Sequence, residues 1–313
     1  MRAVKGFLGR HAIVIALLCL WELSSRLNWT DSSYLPPPSV VAETVFEMWN
    51  RVNLFMHLMV SLFRVLASLL LASALGILSA RLLSGLLKGA YPWLESLFKV
   101  SALVNPYCLF PLFIVFFGPG EYAKIAVLSW VSFWPVFFNS YTAFKNVDPL
   151  LVKTARSMGA SGASIFFQVT LPQSLPSVFN GIRVGVQMAF FILIAAEMTG
   201  AVAGLGWIVH SAGALNQVDR IYGAGLLIVL SGFFLNRFLN YLDRGLFFWK
   251  ETDTPPNAAD ALERPVKPLS ALKLSFIGFA VFLVMALGVY QLYRAEIMLN
   301  DPSVVPEYRI WTE

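Results

Sequence analysis

The chain has 313 residues, of which 58% are hydrophobic and only 13% are charged, and a soluble domain of this length could not bury so much apolar surface. The formal net charge of +5 could indicate a nucleic-acid partner, but the basic residues are scattered between apolar stretches and form no aromatic-laced basic face. Cys19 and Cys108 are isolated, and no histidine has a companion at metal-ligand spacing. The composition therefore predicts a membrane protein without a metal centre or a disulfide framework.

Apolar stretches long enough to cross ~30 Å of hydrocarbon as helices recur along the whole chain. They predict an all-α, polytopic membrane fold with seven spanning helices, at about residues 8–25, 57–82, 92–117, 122–144, 177–201, 222–247 and 272–292.

Lysine and arginine in the connecting segments predict the orientation of these helices. With the N-terminus in the cytoplasm, the inner segments hold thirteen basic residues and the outer segments hold six. Because basic residues accumulate on the cytoplasmic side, we expect a cytoplasmic N-terminus and, after seven crossings, a C-terminus outside.

A second helix is predicted directly after the first span. The stretch Leu35-Pro36-Pro37-Pro38 is stiff and extended, and Ser39 could cap the helix that follows. One face of this helix is apolar and the other is charged, which fits a helix lying on the outer membrane surface. An amphipathic helix packed on protein fits the pattern equally well.

The connection between the fourth and fifth spans, residues 145–176, predicts two short helices. Asp148-Pro149 is a cap followed by a first-turn proline, and Gly159 could end the first helix in a left-handed conformation. Ser161 could cap a second helix that ends at Leu171-Pro172. Small residues and the apolar side chains of residues 165–167 would make this connection a docking surface for a partner protein.

This connection resembles the EAA loop in the permeases of bacterial ABC importers, through Lys153-Thr154-Ala155, Gly159, Val169 and Leu171-Pro172. Other matches place the resemblance in the nitrate/sulfonate/taurine-type branch over about residues 35–250: Leu35-Pro36-Pro37-Pro38-Ser39, Ser61-x-x-Arg64, Pro111-Leu112, Phe117-Gly118, Gly181-Ile182-Arg183, Ala196-Glu197-Met198, Gly204-Leu205-Gly206 and Phe248-Trp249-Lys250.

The resemblance implies a six-helix permease of the bacterial inner membrane that moves a small anionic or polar solute inward by alternating access. It implies three kinds of partner: ABC ATPase subunits that use ATP and Mg²⁺, a second permease copy in a homodimer or heterodimer, and an extracytoplasmic solute-binding protein. The chain has no GxxxxGK[ST] motif, so ATP hydrolysis is expected in a partner and no cofactor in this chain. The coupling residues would be Lys153, Ala155, Arg156, Gly159, Ala160, Ser161, Phe166, Leu171 and Pro172.

Two features depart from the family pattern. The first EAA position, which is usually glutamate, is Lys153 here. Beyond Lys250, a proline-rich linker over 251–271 leads to the extra seventh span and an outer tail over 294–313. We therefore divide the chain into an N-terminal helix region (1–56), a permease core (57–250) and a C-terminal extension (251–313).

Charged residues inside a span cost free energy and call for a reason. Arg64 and Glu197 both fall in the outer part of their spans, so we predict that they form an ion pair. Alternatively, Arg64 faces a water-filled vestibule and attracts an anionic solute. Phe110 and Pro111 could line the translocation path, because the proline would weaken the third predicted helix near mid-membrane, although phenylalanine is also common in membrane cores.

Two other functions compete with transport. The residues Gly159-Ala160-Ser161-Gly162 fit the G-x-S-G pattern of an intramembrane serine protease, but the later histidine, His210, is predicted on the opposite side of the membrane. A non-transport membrane scaffold or receptor would lose little if the loop at 153–172 were altered. Altering that loop therefore discriminates between the scaffold and the permease.

Overall fold

A computed structural model describes residues 2–27, 29, 31, 33–51, 53–247 and 270–300, and every regular element in these ranges is a helix. Residues 251–269 of the predicted linker and 301–313 of the predicted tail lie outside the described residues. The helices are α1 (Arg2–Arg26), α2 (Pro38–Arg51), α3 (Leu54–Ser84), α4 (Tyr91–Leu103), α5 (Pro106–Phe117), α6 (Glu121–Lys145), α7 (Pro149–Ser157), α8 (Gly162–Ile165), α9 (Leu171–Met198), α10 (Leu205–Ala214), α11 (Val218–Leu246) and α12 (Ala271–Asn300).

Four helices among the described residues are long and apolar enough to cross a membrane: Leu54–Ser84, Gly162–Met198, Val218–Leu246 and Leu272–Ile297. The bent pair of α4 and α5 brings the number to five if it forms one span. These helices confirm the all-α, multi-pass fold. Crossing by α1 and α6, which would complete the predicted seven, stays a prediction.

Helix α6 lies at the centre of the bundle, between α3 and α9. Two of its buried serines donate hydrogen bonds to backbone carbonyls of these neighbours, Ser129 to Ser68 (3.3 Å) and Ser132 to Gly185 (3.0 Å). A methyl group on Gly181 would lie 2.9 Å from the Pro135 carbonyl oxygen, so glycine is needed where α9 approaches α6. These contacts hold α6 against both α3 and α9.

The third predicted span, 92–117, is wrong as a single helix. The chain bends by 96° between α4 and α5, because Val104 and Asn105 adopt extended conformations. The Asn105 side chain accepts a hydrogen bond from the Tyr107 N–H (3.0 Å), and Pro106 starts the new helix. Pro111, which the sequence suggested as the weak point, lies inside α5.

The predicted end of the second loop helix at Leu171-Pro172 is also wrong. Helix α8 continues through a π-helical turn, Phe166–Thr170, into α9, so residues from Gly162 to Met198 form one continuous helical segment. In the π turn, the Leu171 N–H donates to the Phe166 carbonyl. This wider turn gives space for the proline ring that follows.

Ser39 does not cap α2, because the helix already begins at Pro38. Instead, the Glu22 carboxylate of α1 accepts hydrogen bonds from the Ser39 N–H (3.1 Å) and hydroxyl (2.8 Å). Met48 of α2 is buried and lies against Gly223 of α11. Helix α2 is therefore packed on protein along one face, which was one of the two readings of its amphipathic pattern.

Candidate functional site: a buried charge cluster and an exposed loop

A cluster of charged side chains is buried where α3, α6 and α9 meet at one end of the bundle. Arg64 on α3 is 1% exposed and donates two hydrogen bonds to Glu121 at the start of α6, Nε to Oε2 (2.6 Å) and Nη2 to Oε1 (2.7 Å). Its Nη1 donates to Glu197 Oε1 on α9 (2.7 Å). Lys124 Nζ in turn lies 2.8 Å from Glu121 Oε1. The four formal charges sum to zero, which limits the cost of burying them.

Glu197 also fixes the segment that connects α9 to α10. Its carboxylate accepts hydrogen bonds from the Ser61 hydroxyl (2.7 Å to Oε1) and from the Gly206 N–H (2.8 Å to Oε2). Arg64 Nη1 donates to the Ala203 carbonyl (2.6 Å), and the Leu205 N–H donates to Ser61 (2.9 Å). The cluster therefore ties three membrane helices to the backbone of residues 203–206.

Two glycines make this arrangement sterically possible. A Cβ atom on Gly204 would lie 2.5 Å from the carboxyl carbon of Glu197, and the φ of Gly204 is +137°. A Cβ atom on Gly206 would lie 2.7 Å from the Glu197 Cβ. Only a residue without a side chain lets this segment approach Glu197 so closely.

The structure places Arg64 and Glu197 in the predicted ion pair. Because the Arg64 guanidinium is buried and shared by two carboxylates, nothing in this conformation supports the alternative in which it faces a vestibule. Any role of the pair in transport stays a prediction. Glu121 and Lys124 were missed, because they flank the start of a predicted span and resemble loop charges; their i,i+3 spacing at the same end as Arg64 was the available signal.

His57 is the first residue of the second predicted span, and its side chain is fully buried. Its Nδ1 accepts a hydrogen bond from the Gly204 N–H (3.0 Å), and its ring stacks on Trp207 with centroids 5.2 Å apart. His57, Ser61 and Arg64 follow each other at i, i+4 and i+7 on one face of α3. That spacing could have identified His57 as a member of the cluster.

Phe110 and Pro111 line a cavity of about 170 Å³ between α5, α6 and α9. The other lining residues are mainly apolar, and Tyr107 and Thr199 contribute hydroxyl groups. Phe110 also packs in the apolar core with Val127 and Ile192. Their position is therefore compatible with both interpretations of the sequence, lining of the translocation path and packing in the apolar core.

The loop between α6 and α9 lies at the opposite end of the bundle. The Asp148 side chain accepts the Leu150 N–H (2.8 Å), and the Ser161 hydroxyl accepts the Ser164 N–H (3.2 Å), as a cap does at the start of a helix. Gly159 has a φ of +80° and follows α7 in the left-handed conformation. The local capping signals of this loop are therefore confirmed.

The base of this loop is anchored to the bundle. The Phe166 ring packs against Phe144 of α6 (5.9 Å between centroids), and the Arg81 guanidinium at the end of α3 lies 4.1 Å from the Phe166 centroid. A groove of about 860 Å³ runs between α7 and the start of α9, with Leu151 and Pro172 among its lining residues. The loop is therefore held in a defined position.

The outer surface of the loop is exposed and partly apolar. Met158 is 83% exposed, and Leu150 and Phe167 are also exposed. The side chains of Lys153, Arg156 and Ser161 point to the surface, whereas Ala155, Ala160, Leu171 and Pro172 are half-buried. His57 and His210 lie on helices at the other end of the bundle, so neither is placed to activate Ser161 as a protease would require. No cluster of metal-ligating side chains occurs in the part of the chain that the structure describes.

Comparison with known proteins matches this chain to a family of transport proteins. Residues 72–248 match the family model described as "Binding-protein-dependent transport system inner membrane component". The putative aliphatic sulfonates transport permease protein SsuC of Bacillus subtilis is 28% identical over 80% of this chain and 88% of its own length. The taurine transport system permease protein TauC of Escherichia coli is 31% identical over 74% of this chain and 86% of its own.

A solved structure, of the inward-facing MetNI methionine ABC transporter, shares the fold. It superposes with a TM-score of 0.51 at 18% identity, over 63% of this chain and 96% of the matched chain. The family match and the taurine permease confirm the resemblance that the EAA-like loop indicated. The protein is thus a multi-pass component of the inner membrane, and it belongs to the family of binding-protein-dependent transport system inner membrane components.

Proposed function

We propose that this chain is the permease subunit of an ATP-driven importer and moves a small anionic solute of the sulfonate class inward by alternating access. Family membership supports the transport role, and the names of the sulfonate and taurine relatives support the class of solute. ATP and Mg²⁺ would be used by a separate ABC ATPase. A second permease copy and an extracytoplasmic solute-binding protein would complete the complex.

The loop from Pro149 to Thr170 gives the main structural support for this proposal. Its base is fixed to α3 and α6 through Phe166, while Leu150, Met158 and Phe167 are exposed at its surface. Exposed apolar side chains on a loop whose base is fixed to the bundle fit a protein interface. Helix α9 continues directly from this loop to Glu197, so a push on the loop would reach the charge cluster through one helical segment.

The orientation that we propose places the loop in the cytoplasm and the charge cluster on the outer side, as the excess of basic residues predicts. Helix α12 ends beside the start of α3, since Ala295 packs with Met56. In this orientation the end of α12 would be outside, as the predicted C-terminal tail requires.

Lys153 has a specific consequence under this proposal. Because it replaces the glutamate of the EAA motif and its side chain is exposed on α7, an acidic residue of the ATPase would complement it. Alternatively, the second permease is a different chain that carries the glutamate. Isolation of a complex with a single permease species would eliminate the heterodimer.

The test is a charge placed on the exposed surface of the loop. Met158→Asp should abolish solute uptake and reduce co-purification of the ATPase, because a carboxylate would be buried in the proposed interface. Leu86→Asp is the matched control, since Leu86 is 82% exposed in the connection between α3 and α4 at the same end of the bundle. Normal uptake and ATPase binding in Met158→Asp would overturn the proposal.

A further inference from the structure

Helix α12 lies beyond the residues that match the family model, which ends at 248, yet it fits closely against α3. A Cβ atom on Gly288 would overlap the Phe63 Cβ and lie 3.1 Å from the Met59 carbonyl oxygen. These atoms belong to the root of a side chain and to a helix backbone, so neither can move aside at low cost. The two helices therefore meet at a point where only glycine is accommodated.

The contact continues from Gly288 toward the end of α12 that lies beside the charge cluster. Ala295 is 3% exposed and packs with Met56, Val60 and Ala203, and Leu292 packs against the same group. Ala203 is the residue whose carbonyl accepts the hydrogen bond from Arg64. Helix α12 thus packs on the segment around Ala203 from one side, while the backbone of the same segment is hydrogen-bonded to the charge cluster from the other.

The rest of α12 makes little contact with the bundle. Phe276, Phe279 and Phe282 are exposed, and a Cβ atom on Gly278 would meet nothing within 4 Å. A helix that served only as an anchor would need a lipid-facing surface but no close-fitting seam. The fit is confined to the half of α12 that reaches Ala203.

We infer that α12 is a clamp, built into the chain, that holds the 202–206 segment against Arg64 and Glu197 and so positions the charge cluster. The Gly288 contact sets the distance between α12 and α3. At that distance, Ala295 and Leu292 pack against Val202 and Ala203 and hold this segment in place. The uptake readout below rests on the proposed function, whereas the cross-linking readout does not.

The test compares the same substitution at two glycines of one helix. Gly288→Leu inserts a side chain into the seam, and Gly278→Leu adds the same side chain where space is open. Each is made in a background with Val60→Cys and Ala295→Cys, in which Cys19 and Cys108 are replaced by serine. We expect an oxidative 60–295 cross-link in the background and in Gly278→Leu, and its loss in Gly288→Leu.

Uptake is then measured without the engineered cysteines. Gly288→Leu should lower the uptake rate on the order of tenfold, the effect of overpacking a close contact, whereas Gly278→Leu should leave it unchanged. If α12 acts through the cluster, Gly288→Leu should add little to the loss caused by Glu197→Gln.

Each outcome is decisive. Loss of the cross-link in Gly288→Leu with full uptake would leave α12 as an anchor and overturn the clamp. A reduction of uptake in Gly288→Leu that multiplies with the reduction in Glu197→Gln, so that the two losses are independent, would also overturn it, because α12 would then act elsewhere. If the chain supported no uptake at all, the proposed function would fail, while the cross-link would still report whether α12 is seated on α3.

Discussion

The buried charge cluster predicts an unusually large effect of removing one carboxylate. Arg64 and Lys124 contribute two positive charges, and Glu121 and Glu197 contribute two negative charges. Glu197→Gln keeps the shape of the side chain but leaves one uncompensated positive charge at a site where Arg64 is 1% exposed and Glu197 is 0% exposed. Arg64 and Lys124 would then share Glu121 as their single carboxylate, and an uncompensated buried charge lowers the free energy of unfolding by about 3–5 kcal/mol.

An exposed ion pair of the same length provides the comparison. Lys99 and Glu95 lie at i,i+4 on α4 with N and O atoms 2.7 Å apart, and their side chains are 63% and 40% exposed. Pairs of this kind contribute about 0.3–0.5 kcal/mol. Glu95→Gln should therefore lower the free energy of unfolding by about a tenth as much as Glu197→Gln, although each substitution removes a carboxylate whose oxygen lies 2.7 Å from the nitrogen of its partner.

The double variant Arg64→Met/Glu197→Gln tests the reason for the difference. It leaves Glu121 and Lys124 as a neutral pair. The double variant should therefore lose less free energy of unfolding than Arg64→Met and Glu197→Gln lose together, by about 1–3 kcal/mol. The free energies of unfolding would be measured by denaturant titration of the purified chain in detergent. Additive costs, or equal costs for Glu197→Gln and Glu95→Gln, would refute the role of charge balance.

Two further predictions concern local geometry. Gly204→Ala should prevent accumulation of folded protein, measured by size-exclusion chromatography, because its Cβ would overlap the Glu197 carboxylate. Gly200→Ala is the control: Gly200 has a φ of +73° but open space around it, so this substitution should cost only about 1–2 kcal/mol of backbone strain. Asn105→Ala should lower the free energy of unfolding by about 1 kcal/mol, because the Tyr107 N–H loses its cap; an unchanged denaturation midpoint would show that the cap does not stabilise α5.

Features that depend on neighbouring residues could be predicted from the sequence. The lengths of the apolar stretches predicted the long helices, and Asp148, Gly159 and Ser161 were assigned local capping roles that the structure confirms. These signals are readable because a cap or a left-handed glycine acts within about four residues of its own position. The family resemblance came from the same loop.

Local signals misled where a proline was interpreted in isolation. Leu171-Pro172 predicted the end of a helix, but the helix continues because a π turn gives the ring space. Pro111 predicted a weak point, but the bend lies at Asn105-Pro106, where a side-chain cap starts a new helix. Helix α10 was not predicted at all, because its ten residues are too few to produce a spanning signal.

The amino-acid sequence was sufficient to predict an all-α membrane protein, a 145–176 loop with capped turns, and a need of Arg64 and Glu197 for a partner inside the bundle. The packing of the helices was needed to show that Glu121 and Lys124 complete the ion-pair cluster, that residues 203–206 bind to it, and that Gly288 lies in a close contact between α12 and α3. Hydrocarbon length and helix capping are set by consecutive residues. By contrast, Arg64 contacts Glu121, 57 positions away, and Glu197, 133 positions away. Contacts over such distances along the chain depend on how the helices pack.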